Sequence, residues 1–185
     1  EQVKEEVLDF FRVRYQNFLL DKGYPFDVTE AVISNAFGEL LGYPASDPAP
    51  AARRCRALVA GRPAARLLDG FLARAARARP HEMEEVYSAT FDLDPACAPY
   101  VGHHLAGESP KRGVFMARLA EAYREDGFDG GARQGELPDH VAIVLRYLAT
   151  APEGPSRTAV LQDALVPALE RMLAALPEED DAYRP

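Results

Sequence analysis

Apolar positions along the chain recur at three- and four-residue spacing almost throughout, and no stretch sustains an alternation of period two. Residues 1–22 form a strongly amphipathic segment, with Val3, Val7, Phe10, Phe11, Tyr15, Phe18 and Leu19 on one stripe and Gly23 as its stop. Asp27 opens a second helix, with Glu30 at the capping-box position. Val28, Val32, Ala36 and Leu40 then extend its apolar face to Gly42. After the loop 45–50, two Ala/Arg-rich helices are expected over about 50–60 and 63–79, with Leu58, Leu67, Leu68, Phe71 and Leu72 as core candidates. A further helix is expected over 82–91.

The next helix should run from Pro110 to about Asp126. Ser109 stands as its cap, Phe115, Met116, Leu119, Ala120 and Tyr123 as its buried stripe, and Gly127 as its stop. Pro138 at the first turn and Asp139 as a partner of the helix dipole mark another start, followed by Val141, Val144, Leu145 and Leu148 on one face. The last helix should extend from Ser156 to Leu176 and be kinked or split by Pro167. These signals predict an all-α, single-domain bundle of about seven to nine helices.

Two blocks gather charged and imidazole groups at helix starts: residues 103–113, holding His103, His104, Glu108 and Arg112, and residues 136–140, Glu-Leu-Pro-Asp-His. At this point the sequence resembles a known family. Tyr87, Phe91 and Asp92, then Pro99-Tyr100-Val101-Gly102-His103-His104-Leu105, Gly107-Glu108-Ser109, Lys111-Arg112-Gly113, Met116, Tyr123 and Glu136-Leu137-Pro138-Asp139-His140 are similar to the nitrate reductase delta-subunit family. These are the assembly chaperones of the NarJ, TorD and DmsD type. The likeness runs over about 37–176.

That resemblance implies a TorD-like fold and a cytoplasmic chaperone without enzymatic activity. Its partner would be the catalytic (alpha) subunit of a molybdopterin oxidoreductase, bound through its N-terminal or signal peptide while the molybdenum cofactor is inserted. The chaperone itself would carry no cofactor. An acidic, partly apolar groove would take the peptide, with Glu108, Glu136 and Asp139 selecting its positive end. Tyr87, Phe91, Tyr100 and Tyr147 would form an aromatic wall, beside His103, His104, Arg112 and a pH-sensitive His140.

Residues 1 to about 36 are instead similar to the C-terminal helical part of the glycyl-tRNA synthetase beta subunit, without any catalytic element of a synthetase. The expected organisation is therefore an N-terminal helical segment (1–36), a chaperone domain (37–176) and an acidic tail (177–185) without fixed structure.

Composition narrows the alternatives. The formal charge of −8, from 29 acidic and 21 basic residues, disfavours nucleic acid and anionic lipid as main partners. No apolar run approaches the roughly 20 residues of a membrane helix, so direct membrane insertion is not expected. The absence of a signal-peptide pattern makes the cytoplasm the expected address. Arg53, Arg54, Arg56, Arg66, Arg74, Arg77 and Arg79 make one quarter locally basic. The simplest reading of them is a solvated helix face, since the interleaved aromatics of a single-stranded RNA site are missing.

The rival chemistry is a metal-dependent hydrolase using His103, His104 and His140. Adjacent histidines on a helix diverge by about 100°, which does not bring two ligands to one ion. Cys97 as a nucleophile lacks an orienting group and an oxyanion hole.

Overall fold

The computed structural model describes residues 28–61, 64–79, 81–92, 97–129 and 135–175. The amphipathic segment 1–22, most of the glycine-rich connection before Glu136 and the acidic tail 177–185 lie outside the described residues.

The order is α1 (Val28–Leu40), α2 (Ala49–Leu58), α3 (Ala64–Ala75), α4 (Glu82–Phe91), α5 (Val101–Ala106), α6 (Pro110–Glu125), α7 (Val141–Thr150), α8 (Pro155–Ala159), a π-helical turn (Val160–Leu165) and α9 (Val166–Ala175). The expected all-α class holds, and the one extended pairing among the described residues is a single antiparallel bridge between Tyr100 and His140.

Helix α7 is the axis of the fold. Of its ten residues only Arg146 and Thr150 escape full burial, so it is apolar all round and not along one face as expected. Around it, Tyr87, Val101, Leu119, Tyr123, Leu161, Leu165 and Met172 build the larger core. A second core joins α1, α2 and α3 through Leu40, Cys55, Val59, Leu68 and Phe71. Helix α1 reaches α7 across Gly38, where an added Cβ would meet the Ala142 carbonyl and Arg146 Cγ, each at 3.0 Å.

Local chemistry accounts for the helix ends. Gly127 takes a left-handed φ of 68° after α6, and the Phe128 N–H returns to the Tyr123 carbonyl at 2.8 Å. That 6→1 bond, with the Phe128 ring against Tyr123, is a Schellman stop. Ser109 occupies the N-cap position of α6, but its hydroxyl donates backwards to the Ala106 carbonyl and caps nothing. On α6, Leu119 and Tyr123 are buried as expected, whereas Ala120 is exposed.

Helix α8 starts one residue before the expected cap, with Gly154 as N-cap and Pro155 at the first turn. The last helical run, expected to be kinked or split at Pro167, is continuous over 155–175 but carries a π-helical turn within it. Pro167 has no N–H to donate into the ladder, and the π-helical turn ends two residues before it at Leu165.

Candidate functional site

The two motif blocks, far apart in sequence, are built into one joint. The backbone zips first: the Val101 N–H donates to the Asp139 carbonyl and the Val141 N–H to the Pro99 carbonyl, each at 2.8 Å. This places the start of α5 against the start of α7. Gly102 permits the approach, because an added Cβ would lie 2.7 Å from Asp139 Oδ2 and 2.9 Å from Phe115 Cδ1.

Across that contact Arg112 Nε donates to Asp139 Oδ2 at 3.0 Å. The Asp139 side chain is fully buried and that of Arg112 is 12% exposed. Asp139 is therefore the interior partner of Arg112, not a carboxylate placed at a helix entrance to balance the dipole, and it is not presented to a partner. Arg112 Nη1 donates outward to Glu108 Oε1 at 2.7 Å, and the same oxygen meets His103 Nδ1 at 2.9 Å. The guanidinium also lies over the Tyr100 ring, 5.1 Å from its centroid. Tyr100 in turn donates its hydroxyl to Glu136 Oε1 at 3.0 Å.

The electrostatics follow the contacts. Hydrogen bonding to His103, reinforced by Arg112, holds the Glu108 carboxyl below its ordinary value. Partial burial and the Glu136 carboxylate push the Tyr100 hydroxyl up to about 12. Burial pulls the Arg112 guanidinium down, but Asp139 and Glu108 outweigh it and its pKa is raised.

His140 caps α7 by an unusual route, its Nδ1 accepting the Ala142 N–H at 3.1 Å. The ring proton must then sit on Nε2, which donates to the Tyr87 hydroxyl at 3.3 Å. Burial lowers the pKa of His140, so the neutral ring persists. His104 is likewise neutral: Nε2 donates to the Ala98 carbonyl at 2.7 Å, and burial lowers its pKa.

The expected site residues thus divide into two groups. Tyr100, His103, Glu108, Arg112 and Glu136 form one hydrogen-bonded and stacked cluster with a solvent-facing side, on which Leu137 is 41% exposed. Tyr87, Phe91 and Tyr147 are core residues, 5%, 5% and 0% exposed, and they build no surface wall. The Tyr147 hydroxyl is spent on Asp126 Oδ2 at 2.7 Å. His140 is buried too, so its titration acts through the interior and not at a binding surface.

For the rival metal reading, no group of three or more His, Cys, Asp or Glu side chains is placed to hold an ion among the described residues. The His103 and His104 rings stand edge to face, and each is bonded to a different partner. No described helix is long and apolar enough to cross a membrane.

Sequence reasoning missed the role of Gly102, whose signal was its place inside a motif block beside Val101. It also missed Leu137 as an exposed apolar group, legible as the one large apolar residue in Glu-Leu-Pro-Asp-His.

Residues 58–185 match the family model described as nitrate reductase delta subunit. The chain belongs to that family. The match takes in both motif blocks, and so every residue of the delta-subunit joint described above. Among curated relatives, the nitrate reductase molybdenum cofactor assembly chaperone NarJ of Escherichia coli (strain K12) is 33% identical over 104 residues, 56% of this chain and 42% of that protein. The chain therefore spans less than half the length of that relative. Among solved structures, a redox enzyme maturation protein from Archaeoglobus fulgidus shares the delta-subunit fold at a TM-score of 0.59. The identity is 19%, over 88% of this chain and 91% of that one. A 41-residue stretch is 39% identical to the glycine–tRNA ligase beta subunit of Syntrophus aciditrophicus, covering 22% of this chain and 6% of that protein.

Proposed function

We propose that this chain is a maturation chaperone for a nitrate reductase-type molybdenum enzyme. In this reading it works in the cytoplasm, binds the N-terminal or signal peptide of the enzyme's catalytic subunit, and keeps that subunit open until the molybdenum cofactor is inserted. The observation that carries the reading is the family match over residues 58–185, which takes in the joined motif blocks and the helices that brace them.

The geometry supports a gripping surface better than a reactive one. Glu108 is held by His103 and Arg112 and Glu136 by Tyr100, so neither carboxylate is poised as a base against a nucleophile among the described residues. Glu108 and Glu136 stand at the two ends of the Tyr100–Arg112 stack with Leu137 exposed beside them. An amphipathic basic peptide would place an apolar residue on Leu137 and the stack, and its cations at the two carboxylates.

The test is the molybdenum content of the catalytic subunit encoded beside this chain, purified from cells with and without it. The reading expects the subunit to accumulate without molybdenum when the chain is absent, and to co-purify with the chain before loading. Full metal content in its absence would contradict the assignment.

A further inference from the structure

Charge on this chain is segregated. Residues 49–79 hold eight arginines against one carboxylate, Asp69, a formal +7 in a chain whose total is −8, so the remaining residues carry −15. That basic stretch contains the pair α2 and α3, neighbours across a short connection and packed through Cys55, Val59, Leu68 and Phe71.

Three of the arginines are neutralised by carboxylates: Arg54 by Glu39, Arg56 by Asp69 at 2.8 Å, and Arg79 by Glu82 at 3.3 Å. Arg53, Arg66 and Arg77 are exposed and make no side-chain hydrogen bond or ion pair with another described residue. Their positions are ordered. Arg53 lies one turn from Arg56, which the Asp69 pair fixes toward α3. Arg66 lies one turn from Asp69 on α3, and Arg77 stands in the turn that follows the end of that helix at Ala75. The free guanidinium groups thus belong to α2, to α3 and to the turn that closes α3, on the basic side of the α2–α3 seam. Between and beside them the exposed residues are small: Ala57, Ala60, Ala73 and Ala76.

We propose that the α2–α3 face is a second docking surface, distinct from the Arg112–Asp139 joint, and that its occupant is an acidic segment of a partner protein. Arginine is the cation that binds carboxylates in pairs, and a floor of alanines lets a helix or strand lie close. The charge outside the seam selects among polyanions. Nucleic acid or an anionic membrane would extend beyond the seam of a chain whose remaining sequence is net acidic and be repelled, and the exposed residues between the arginines include neither stacking aromatics nor large apolar groups to insert. A short run of Asp and Glu fits within the seam.

The experiment is fluorescence anisotropy of a labelled twelve-residue glutamate-rich peptide against the full chain at low salt, beside a labelled twelve-nucleotide RNA. Wild type should bind the acidic peptide with an affinity that falls steeply as salt is raised. The Arg53→Gln, Arg66→Gln, Arg77→Gln triple variant should lose at least tenfold while keeping the wild-type melting temperature, because none of the three side chains is buried or paired. A Glu108→Gln, Glu136→Gln variant should bind the acidic peptide at least as well as wild type, which separates this surface from the proposed peptide site. Absence of binding by wild type, an unchanged affinity in the triple variant, or tighter binding of the RNA would overturn the proposal. So would a wild-type dimer in sedimentation that the triple variant abolishes, since the occupant would then be a second copy.

Discussion

Arg112 Nε and Asp139 Oδ2 meet at 3.0 Å across 27 residues of sequence, and their ion pair ties α6 to the entrance of α7. Asp139 is fully buried, and its Oδ1 and Arg112 Nη2 have no hydrogen-bond partner among the described residues. The pair is therefore costly to open from one side. Arg112→Ala should destabilise the fold by about 3–5 kcal/mol, because it strands a buried carboxylate. Arg112→Met with Asp139→Leu should cost less than the sum of the two single changes. Urea unfolding of the four proteins in a double-mutant cycle gives the answer, and simple additivity would mean that the pair is not coupled.

Gly102 should tolerate no side chain. A Cβ at that position meets Asp139 Oδ2 at 2.7 Å and Phe115 Cδ1 at 2.9 Å, and neither atom lies at the free end of an exposed side chain. Gly102→Ala should cost about 1–3 kcal/mol by overpacking. Gly113→Ala, where nothing lies within 4 Å of the added carbon, should cost nothing and serves as the control.

Acid should destabilise the protein through two imidazoles. Burial lowers the pKa of both His104 and His140 below 6.5 in the folded state. The unfolded chain then binds more protons in that window, so stability rises with pH there. It is complete above the unfolded value near 6.5 and is lost progressively as pH falls toward the lowered folded values. His140→Gln should flatten the fall in melting temperature between about pH 6.5 and pH 5. Tyr87→Phe should cost about 1–3 kcal/mol at neutral pH by leaving His140 Nε2–H unpartnered. A wild-type melting temperature that climbs on acidification would contradict this account.

Neither cysteine should react in the native protein. Cys55 and Cys97 are 0% and 2% exposed, and burial pushes the Cys55 thiol up to about 12. The Cys97 thiol, in addition, donates to the Met172 carbonyl at 3.5 Å. A thiol reagent at pH 8 should label neither until denaturant is added and both afterwards. Rapid labelling of Cys97 in the folded chain would show that its contact with α9 opens.

Helix positions were legible wherever stop and start signals are backbone chemistry. Helix α4 occupies 82–91 as read, α6 begins at Pro110, and Gly127 stops it, because proline and glycine act locally. Partner choice was not legible. Ser109 has a cap's identity and position, yet its hydroxyl finds the Ala106 carbonyl nearer. Asp139 looked like a dipole partner at a helix start, whereas His140 takes the cap and Asp139 turns inward to Arg112. Tyr87, Phe91 and Tyr147 have the composition of a binding wall, but aromatic side chains serve cores as readily, and only the packing of α4 and α7 decides which. The two motif blocks were recognisable as chemistry in sequence. That they form one joint depends on the Tyr100–His140 bridge, a long-range contact that no local pattern encodes.

In the proposed function the solvent side of this joint grips a basic, amphipathic peptide. Isothermal titration calorimetry with the N-terminal peptide of the catalytic subunit tests it directly, using wild type and the Glu108→Gln, Glu136→Gln variant. Both carboxylates are surface groups, so the variant should keep its fold while its affinity for the peptide drops at least tenfold and loses most of its salt dependence. Equal affinity and equal salt dependence in the two proteins would contradict the account.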